Sequence, residues 1–295
     1  MLFAGFVVAL VSAVVQSVAF VFSRAFILKH RDPVKLTVYS QVWMALIGAA
    51  ILAAIWPWQK VDFTPRVLWI IAAFSLTGNL AYVCFFQAMK VIEASRLSSL
   101  LGMKMVTLAI FNIIVFRDFP TAWKWAAIVL SSVAAVGMNF SGGRLPLRGC
   151  VMLFITLCCY AVTDTLAKML VEEMPGNNLC LQSLAATGLN FGSLGLVSSL
   201  AFVRMKFETA PFKSAFRYGA CWILAMVGLV ASLHLLGVML GNIVQSSRGF
   251  FSVLIGYALW KAGRSDLEPA ASGKMWVRRC VMALLMALAM VLYVR

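Results

Sequence analysis

Charged and strongly polar side chains set inside long apolar runs are the residues here whose types and spacing suit chemistry. Lys104 stands near the middle of 93–116, EASRLSSLLGMKMVTLAIFNIIVF. That stretch can cross a bilayer, because about 20 residues rising roughly 1.5 Å each span a hydrocarbon core about 30 Å thick. An unpaired lysine at that depth costs about 2.5 to 3.5 kcal/mol, so it faces a cavity or a partner rather than lipid. Two readings follow: Lys104 holds an anionic ligand group, or it forms a structural ion pair with an acid on a neighbouring helix. Asp164 is the acid well inside an apolar run, with Tyr160 and Lys168 one helical turn to either side. It reads as the i,i+4 partner of Lys168, or alternatively as a proton or cation site or the counter-charge of Lys104.

Further polar groups recur at helical spacing. Ser75, Asn79, Tyr82 and Phe86 are separated by 4, 3 and 4 residues, which puts them on one helix face. Facing a cavity, they supply hydrogen bonds and an aromatic wall. Gln16, with Ser12, offers the same on the first apolar run. Each of these groups would equally serve as an interhelical hydrogen bond, worth about 0.6 kcal/mol on average. Arg248 sits among Asn242, Gln245 and Ser252 and reads as a guard at the mouth of a pathway. Arg96, its counterpart in the first half, reads as an interfacial residue snorkelling to headgroups or as the guard of the other mouth, and snorkelling is equally the alternative for Arg248. His234 is the histidine inside an apolar run; an imidazole is a group able to couple proton movement to transport, or to hydrogen-bond between helices.

The elements that position these groups are apolar helices. Of the 295 residues, 63% are hydrophobic and 12% charged, and the mean hydropathy is +0.95. Soluble domains run nearer 45 to 50% and about 25%, so the composition assigns the chain to a membrane. Ten segments qualify as spans: 3–27, 36–56, 67–89, 93–116, 122–141, 147–170, 181–203, 218–240, 244–262 and 276–294. Their connections are short and carry turn signals, among them Arg31-Asp32-Pro33, Asp118-Phe119-Pro120, Gly142-Gly143 and Pro175-Gly176. The N-terminal run lacks a basic n-region and an evident cleavage site, and reads as a retained first span. Gly188-x-x-x-Gly192 and Gly237-x-x-x-Gly241 read as helix-packing faces. Trp56, Trp58, Trp69, Trp123, Trp125, Trp260 and Trp276 fall near expected helix ends, as an interfacial belt does.

The ten spans read as five used twice. Setting Arg96 on Arg248 aligns VIEASRL with IVQSSRG and puts Tyr82 opposite His234, while Gly5, Gln16 and Arg24 fall on Gly149, Tyr160 and Lys168. Because five is odd, the second copy enters the membrane inverted, so residues 1–145 and 146–295 form two inverted five-helix repeats. That architecture places a ligand site near the midplane. Lys104 falls opposite Gly256, and a residue unmatched by the repeat suits an asymmetric ligand. Lys and Arg concentrate on the odd-numbered loops, including Lys29, Arg31, Arg144, Arg148, Arg204 and Lys206, which puts those loops in the cytoplasm and both termini outside.

Composition and motifs also exclude. The net charge of +15 comes from residues at the ends of apolar segments rather than from a basic patch with a recognition motif, so no nucleic-acid partner is expected. The seven cysteines form no C-x-x-C spacing. The two histidines make no H-E-x-x-H pair, and no G-x-x-x-x-G-K-[ST] loop exists. Neither an enzyme, a resident metal or cofactor, nor an ATP-driven machine is expected.

The whole chain resembles the ten-helix EamA-type proteins of the drug/metabolite transporter superfamily. The resemblance rests on length, on the two five-helix halves, on the short fourth and ninth helices opening with ASR (94–96) and SSR (246–248), and on the small-residue runs SSVAAVG (131–137) and MALLMALAM (282–290). It implies an all-α polytopic bundle with helices 1–4 and 6–9 around a central cavity, and helices 5 and 10 serving packing or self-association as a homodimer. It implies no particular substrate, since members move amino acids, drugs, sugars, nucleotides and other metabolites. The expected activity is secondary transport, in the inner membrane, of a small anionic or zwitterionic metabolite by alternating access, with protons as a candidate coupling ion. The candidate ligand residues are Lys104, Asp164, His234 and Arg248, together with Gln16, Asn79, Tyr82 and Tyr160. The rivals are an exporter of cationic drugs, using Asp164 and Tyr160, and a lipid-handling subunit. Lys104 opposes the first, because a fixed cation repels a cationic ligand strongly at low dielectric.

Overall fold

Asp32 and Asn178 show how local chemistry sets the helix boundaries in this computed structural model, which describes residues 2–88, 91–92, 100–117, 119–138, 146–264 and 273–294. The Asp32 carboxylate accepts from the backbone N–H groups of Val34 and Lys35, so α1 (Leu2–His30) is followed after two residues by α2 (Pro33–Ile55), with Pro33 at its first position. Proline is suited there because its missing N–H would have no helical partner. α3 is Pro65–Ala88. A 3₁₀ turn, Leu101–Met103, leads into α4 (Lys104–Phe116), which ends where Arg117 turns left-handed at φ 53°. α5 is Ala122–Met138 and α6 is Leu147–Glu172. Asn178 caps α7 (Leu179–Ser199) through Cys180 and Leu181 N–H. α8 is Thr209–Leu236, α9 Val238–Gln245, α10 Arg248–Lys261 and α11 Gly273–Val294.

Eight segments are long and apolar enough to span a membrane, with α9 and α10 counting as the single span Val238–Lys261; the apolar helices of α4 and α5 complete ten. No strand occurs among the described residues. The protein is a multi-pass, all-α membrane protein, as hydropathy indicates. With no water in the core to satisfy a bare backbone, helices are the form such apolar runs take. Large side chains such as Leu76, Ile114 and Leu284 face outward, where lipid replaces a protein partner.

Several boundaries differ from those read off hydropathy. The span expected at 218–240 starts nine residues earlier, at Thr209, with Pro211 in its first turn. Lys213 and Arg217 lowered the apolar score there, yet a helix continues past the hydrocarbon edge wherever its backbone bonds are made. The same span stops at Gly237, whose φ of 77° suits glycine and breaks the chain before α9. Gly237 and Gly241 therefore do not form a common packing face: Gly237 turns the chain, while Gly241 lies against Leu233. Similarly, a Cβ on Gly192 would meet nothing within 4 Å, whereas one on Gly188 would meet the Gly48 carbonyl oxygen at 3.0 Å. Arg96, Gly142 and Gly143 lie outside the described residues.

Helix pairing places the centre of the bundle. α1 packs along α8, α3 along α6, α2 along α7 and α5 along α11. α2 also meets α8 and α3 meets α7; α1 reaches α10, and α4 lies on α6. Glycine allows the closest approach at the α2–α7 crossing, where Gly48 faces Gly188 and Gly195 faces the Gln41 carbonyl. Between α1, α3, α6 and α8 the buried apolar core holds Tyr82, Phe85, Phe86, Leu157, Trp222 and Leu229.

Candidate functional site

Tyr160 and Asp164 lie one turn apart on α6, so they project from the same face of the helix. That face lines a cavity of about 60 Å³ near the middle of the bundle, closed by α1, α3, α4, α7, α8 and α10. Lys104, the first residue of α4, reaches across and donates from Nζ to Asp164 Oδ2 at 2.6 Å. Both are buried, at 6% and 8% exposure. Asp164 therefore pairs between helices and not with Lys168, which lies 3.3 Å from Glu172 instead. The i,i+4 neighbour loses because the aliphatic stem of a lysine near a helix end can carry its ammonium outward, while Asp164 is short and faces inward. Thr107, one turn along α4, donates to the Lys104 carbonyl at 2.9 Å and approaches the Leu157 carbonyl on α6 at 3.4 Å.

Arg248 is the second cation of the cavity and is only 7% exposed. The α1 helix holds it through two residues one position apart. Gln16 Oε1 accepts from Arg248 Nη1 at 2.9 Å and from Gln245 Nε2 at 2.7 Å, while Ser17 Oγ lies 2.9 Å from the Arg248 carbonyl oxygen. The Phe20 ring, one turn further along α1, stands 5.9 Å from the guanidinium carbon. No carboxylate lies within ion-pair distance of Arg248 among the described residues; its hydrogen-bond acceptor is a neutral amide.

Aromatic rings wall one end of the cavity. Tyr82 meets Tyr160 edge-on at 6.2 Å and Trp222 edge-on at 6.1 Å, and one turn along α3 Phe86 stacks on Tyr82 at 6.2 Å. At the other end Phe74 and Phe191 form a further edge-on pair at 5.8 Å. The remaining wall is aliphatic, chiefly Leu194, Met226, Leu229, Val230 and Leu233. The cavity thus has one charged side and an otherwise mainly apolar lining, to which Thr163, Tyr82, Tyr160 and Trp222 add polar groups.

Of the residues singled out in the sequence, the structure gathers six: Gln16, Tyr82, Lys104, Tyr160, Asp164 and Arg248. Two lie elsewhere. His234 is exposed on the outer face of α8 near its end. Leu233 points into the cavity, and the next residue is turned about 100° away from it, so His234 is no ligand of this site. The alignment of His234 with Tyr82 therefore joins an outward residue to an inward one. Asn79 is engaged between α3 and α7: its Nδ2 donates to the Ser75 carbonyl at 2.8 Å and approaches the Leu194 carbonyl at 3.3 Å, and its Oδ1 accepts from Ser198 at 2.6 Å. It borders a separate cavity of about 290 Å³ between α2, α3 and α7.

Trp222 is a lining residue that sequence reasoning overlooked. With a span assumed to begin at 218 it sat close to a helix end; with α8 beginning at Thr209 it lies in the fourth turn. Phe74 and Phe191 carried no signal, because an apolar residue facing a cavity and one facing lipid look alike in sequence. Among the described residues, no group of three or more His, Cys, Asp or Glu side chains is placed to hold a metal ion.

Comparison with known proteins agrees with this architecture. Residues 3–140 match the EamA-like transporter family. A Sinorhizobium protein described as an uncharacterized transporter in the cobO 3' region is 26% identical over 129 residues, which is 43% of this chain and 91% of that protein. A solved crystal structure of a protein superposes with a TM-score of 0.69, covering 99% of each chain at 15% identity, a likeness of fold alone. Residues 3–140, a little under half of the chain, are thus similar to the EamA-like transporter family, and both this match and the Sinorhizobium relative point to transport across a membrane as the general activity.

Proposed function

We propose that the chain moves a small metabolite carrying an anionic group, as a simple anion or a zwitterion such as an amino acid, by alternating access across the inner membrane. The observation that carries this reading is Arg248, a buried guanidinium facing a midmembrane cavity with a neutral amide as its acceptor. Lys104 and Asp164 cancel, so among the described residues the two cations and one acid leave one net positive charge. A buried charge without a counter-charge is costly, and an arriving anion relieves that cost. A guanidinium also matches carboxylate geometry through paired donors. The same charge disfavours the cationic-drug reading, since a cation entering here meets a net repulsion at low dielectric. With His234 outside the site, no histidine lines the cavity among the described residues.

Alternating access is supported by the pairing of the helices. α1 on α8 is matched by α3 on α6, α2 on α8 by α3 on α7, and α1 on α10 by α4 on α6, while α2–α7 and α5–α11 each map onto themselves. Exchanging residues 1–145 with 146–295 reproduces the pattern, as two inverted repeats would. The glycine contacts of the α2–α7 crossing provide a smooth surface for one repeat to move on the other. The test is uptake by proteoliposomes of labelled monocarboxylates and amino acids. Arg248→Gln is expected to cut the initial rate at least tenfold, by the roughly 1.5 kcal/mol or more that a hydrogen bond to a charged group contributes; a rate equal to that of the unaltered protein would remove Arg248 from the site.

A further inference from the structure

We propose that the cavity selects by number of charges as well as by sign: its ligand is a monoanion with an uncharged apolar body, and the Lys104–Asp164 pair is a neutral bolt between α4 and α6 that the ligand leaves closed. The proposal rests on the anion reading above and narrows it.

The bolt is short and self-contained. Lys104 Nζ and Asp164 Oδ2 stand 2.6 Å apart, and Thr107 joins the same two helices one turn away. Removing either partner would strand a charge, which is why a buried pair is far more costly to break than to keep. Arg248, by contrast, has no counter-charge beside it among the described residues, while its position is fixed by Gln16 and Ser17. One negative charge beside Arg248 brings the cavity to neutrality and disturbs nothing else. A zwitterion brings no net charge: its ammonium must either displace Lys104 from Asp164, stranding the lysine, or remain beside two cations. A dianion carries the cavity past neutrality to one net negative charge.

The body of the ligand follows from the rest of the wall. Beyond the charged side, the lining is mostly apolar, with Phe74, Phe191, Leu194, Met226, Leu229 and Leu233, while Thr163, Tyr82, Tyr160 and Trp222 add polar groups elsewhere in the wall. A second polar group on a ligand set against the Phe74–Leu233 side would be buried there without a partner. The cavity volume of about 60 Å³ is about two waters' share of liquid at roughly 30 Å³ each, which holds a carboxylate head; the apolar chain behind it requires the flanking helices to move apart.

A matched series tests this on the full-length protein in detergent, read by thermal shift and by tryptophan fluorescence, to which Trp222 in the wall contributes. The probes are 4-methylpentanoate (monoanion), leucine (zwitterion), isobutylmalonate (dianion) and isoamylamine (cation). For the unaltered protein, 4-methylpentanoate is expected to bind at least tenfold more tightly than the other three. Lys104→Gln, which leaves no net charge, is expected to lose that preference. Asp164→Asn, which leaves two positive charges, is expected to shift it to isobutylmalonate. The double variant Lys104→Gln with Asp164→Asn returns the cavity to one positive charge and is expected to regain the monoanion preference over both single variants.

Leucine matching or exceeding 4-methylpentanoate overturns this inference and leaves the broader anionic or zwitterionic reading standing. Preference for isoamylamine overturns both. A double variant that runs as a single species and melts cooperatively, yet does not regain the preference, shows that the pair touches the ligand and overturns the bolt. Silence from all four probes at their solubility limits overturns the apolar body.

Discussion

Two polar regions are buried in this bundle, and they treat their donors and acceptors in opposite ways. Between α2, α3 and α7 the groups are all neutral, and Ser75, Asn79, Ser193 and Ser198 are tied to one another across the helices. Ser75 donates to Ser193 at 2.6 Å, Asn79 spends both ends of its amide, and Ser198 bridges Asn79 and Gln41. A hydroxyl has one proton, so Ser198 donates to one amide oxygen while the other amide must present its N–H. Among the described residues the central cavity instead holds three charges, of which two are matched and one is not. Neutral hydrogen bonds in a membrane hold helices together at modest benefit. An unmatched buried charge does nothing for packing, and its cost makes it a mark of ligand binding. The accounting of partners, more than polarity, separates a seam from a site.

The first way to break this comparison is at Arg248. Arg248→Gln keeps a hydrogen-bonding side chain beside Gln16 but removes the charge. Because a hydrogen bond to a charged group contributes about 1.5 to 3 kcal/mol, anion affinity should fall roughly tenfold to 150-fold, measured as Kd from tryptophan fluorescence, with thermal stability equal or higher. A fall of less than threefold would mean that the unmatched charge is incidental, and the distinction between seam and site would collapse.

Gly195 probes the other region. It lies against the Gln41 carbonyl and Ala45, so any Cβ there would overlap backbone that cannot give way. Gly195→Leu should destabilise by about 1 to 3 kcal/mol, as overpacking does, seen as a lower midpoint in detergent melts. The fraction that remains folded should bind anions as before, because the crossing lies outside the cavity wall. Loss of binding in that fraction would show that the seam shapes the site.

Much of this was legible beforehand, and the reasons for the remainder are geometric. Ten segments follow from hydropathy because a bilayer demands apolar length, and Lys104 and Asp164 draw notice because charge at that depth is anomalous. Which way a residue faces is another matter. Leu233 and His234 differ by one position and by about 100° of helix rotation, enough to put one in the cavity and the other on the lipid face. Asp164 had two candidate cations, and choosing Lys104 over Lys168 requires knowing that α4 lies on α6. Ser75 and Asn79 share a face with Tyr82, yet α7 covers the Ser75 and Asn79 end and leaves Tyr82 to the cavity. Trp222 was disguised by a helix start placed nine residues too late.

A sharper test lies at Gln16, which orients rather than neutralises. Gln16→Leu removes the acceptor shared by Arg248 and Gln245 while keeping the volume. One neutral hydrogen bond is worth about 0.5 to 1.5 kcal/mol, so anion affinity should fall about twofold to twelvefold, less than for Arg248→Gln. Gln16→Glu should do more: it would place a carboxylate on Arg248, supply the missing counter-charge and compete with the ligand, so that anion binding is lost while the melting midpoint rises. If Gln16→Glu bound anions like the unaltered protein, the one net charge of the cavity would not be what attracts them.

The smallest effect belongs to Ser75. Its hydroxyl donates to Ser193, and Ser193 donates in turn to the Asn190 carbonyl on its own helix. Ser75→Ala deletes one interhelical bond and opens almost no space. Ser193 keeps its backbone acceptor, so no buried donor is stranded, and the loss should be near the membrane average of about 0.6 kcal/mol. The same substitution at a cavity position would alter binding. Here it should lower the melting midpoint slightly and leave Kd for the best anionic probe within twofold, because the bond fastens α3 to α7 at the end of that face which α7 covers, outside the cavity wall. A Kd shift beyond fivefold at unchanged stability would place the Ser75 face in the transport route, and the neutral seam would then have to be counted as part of the site.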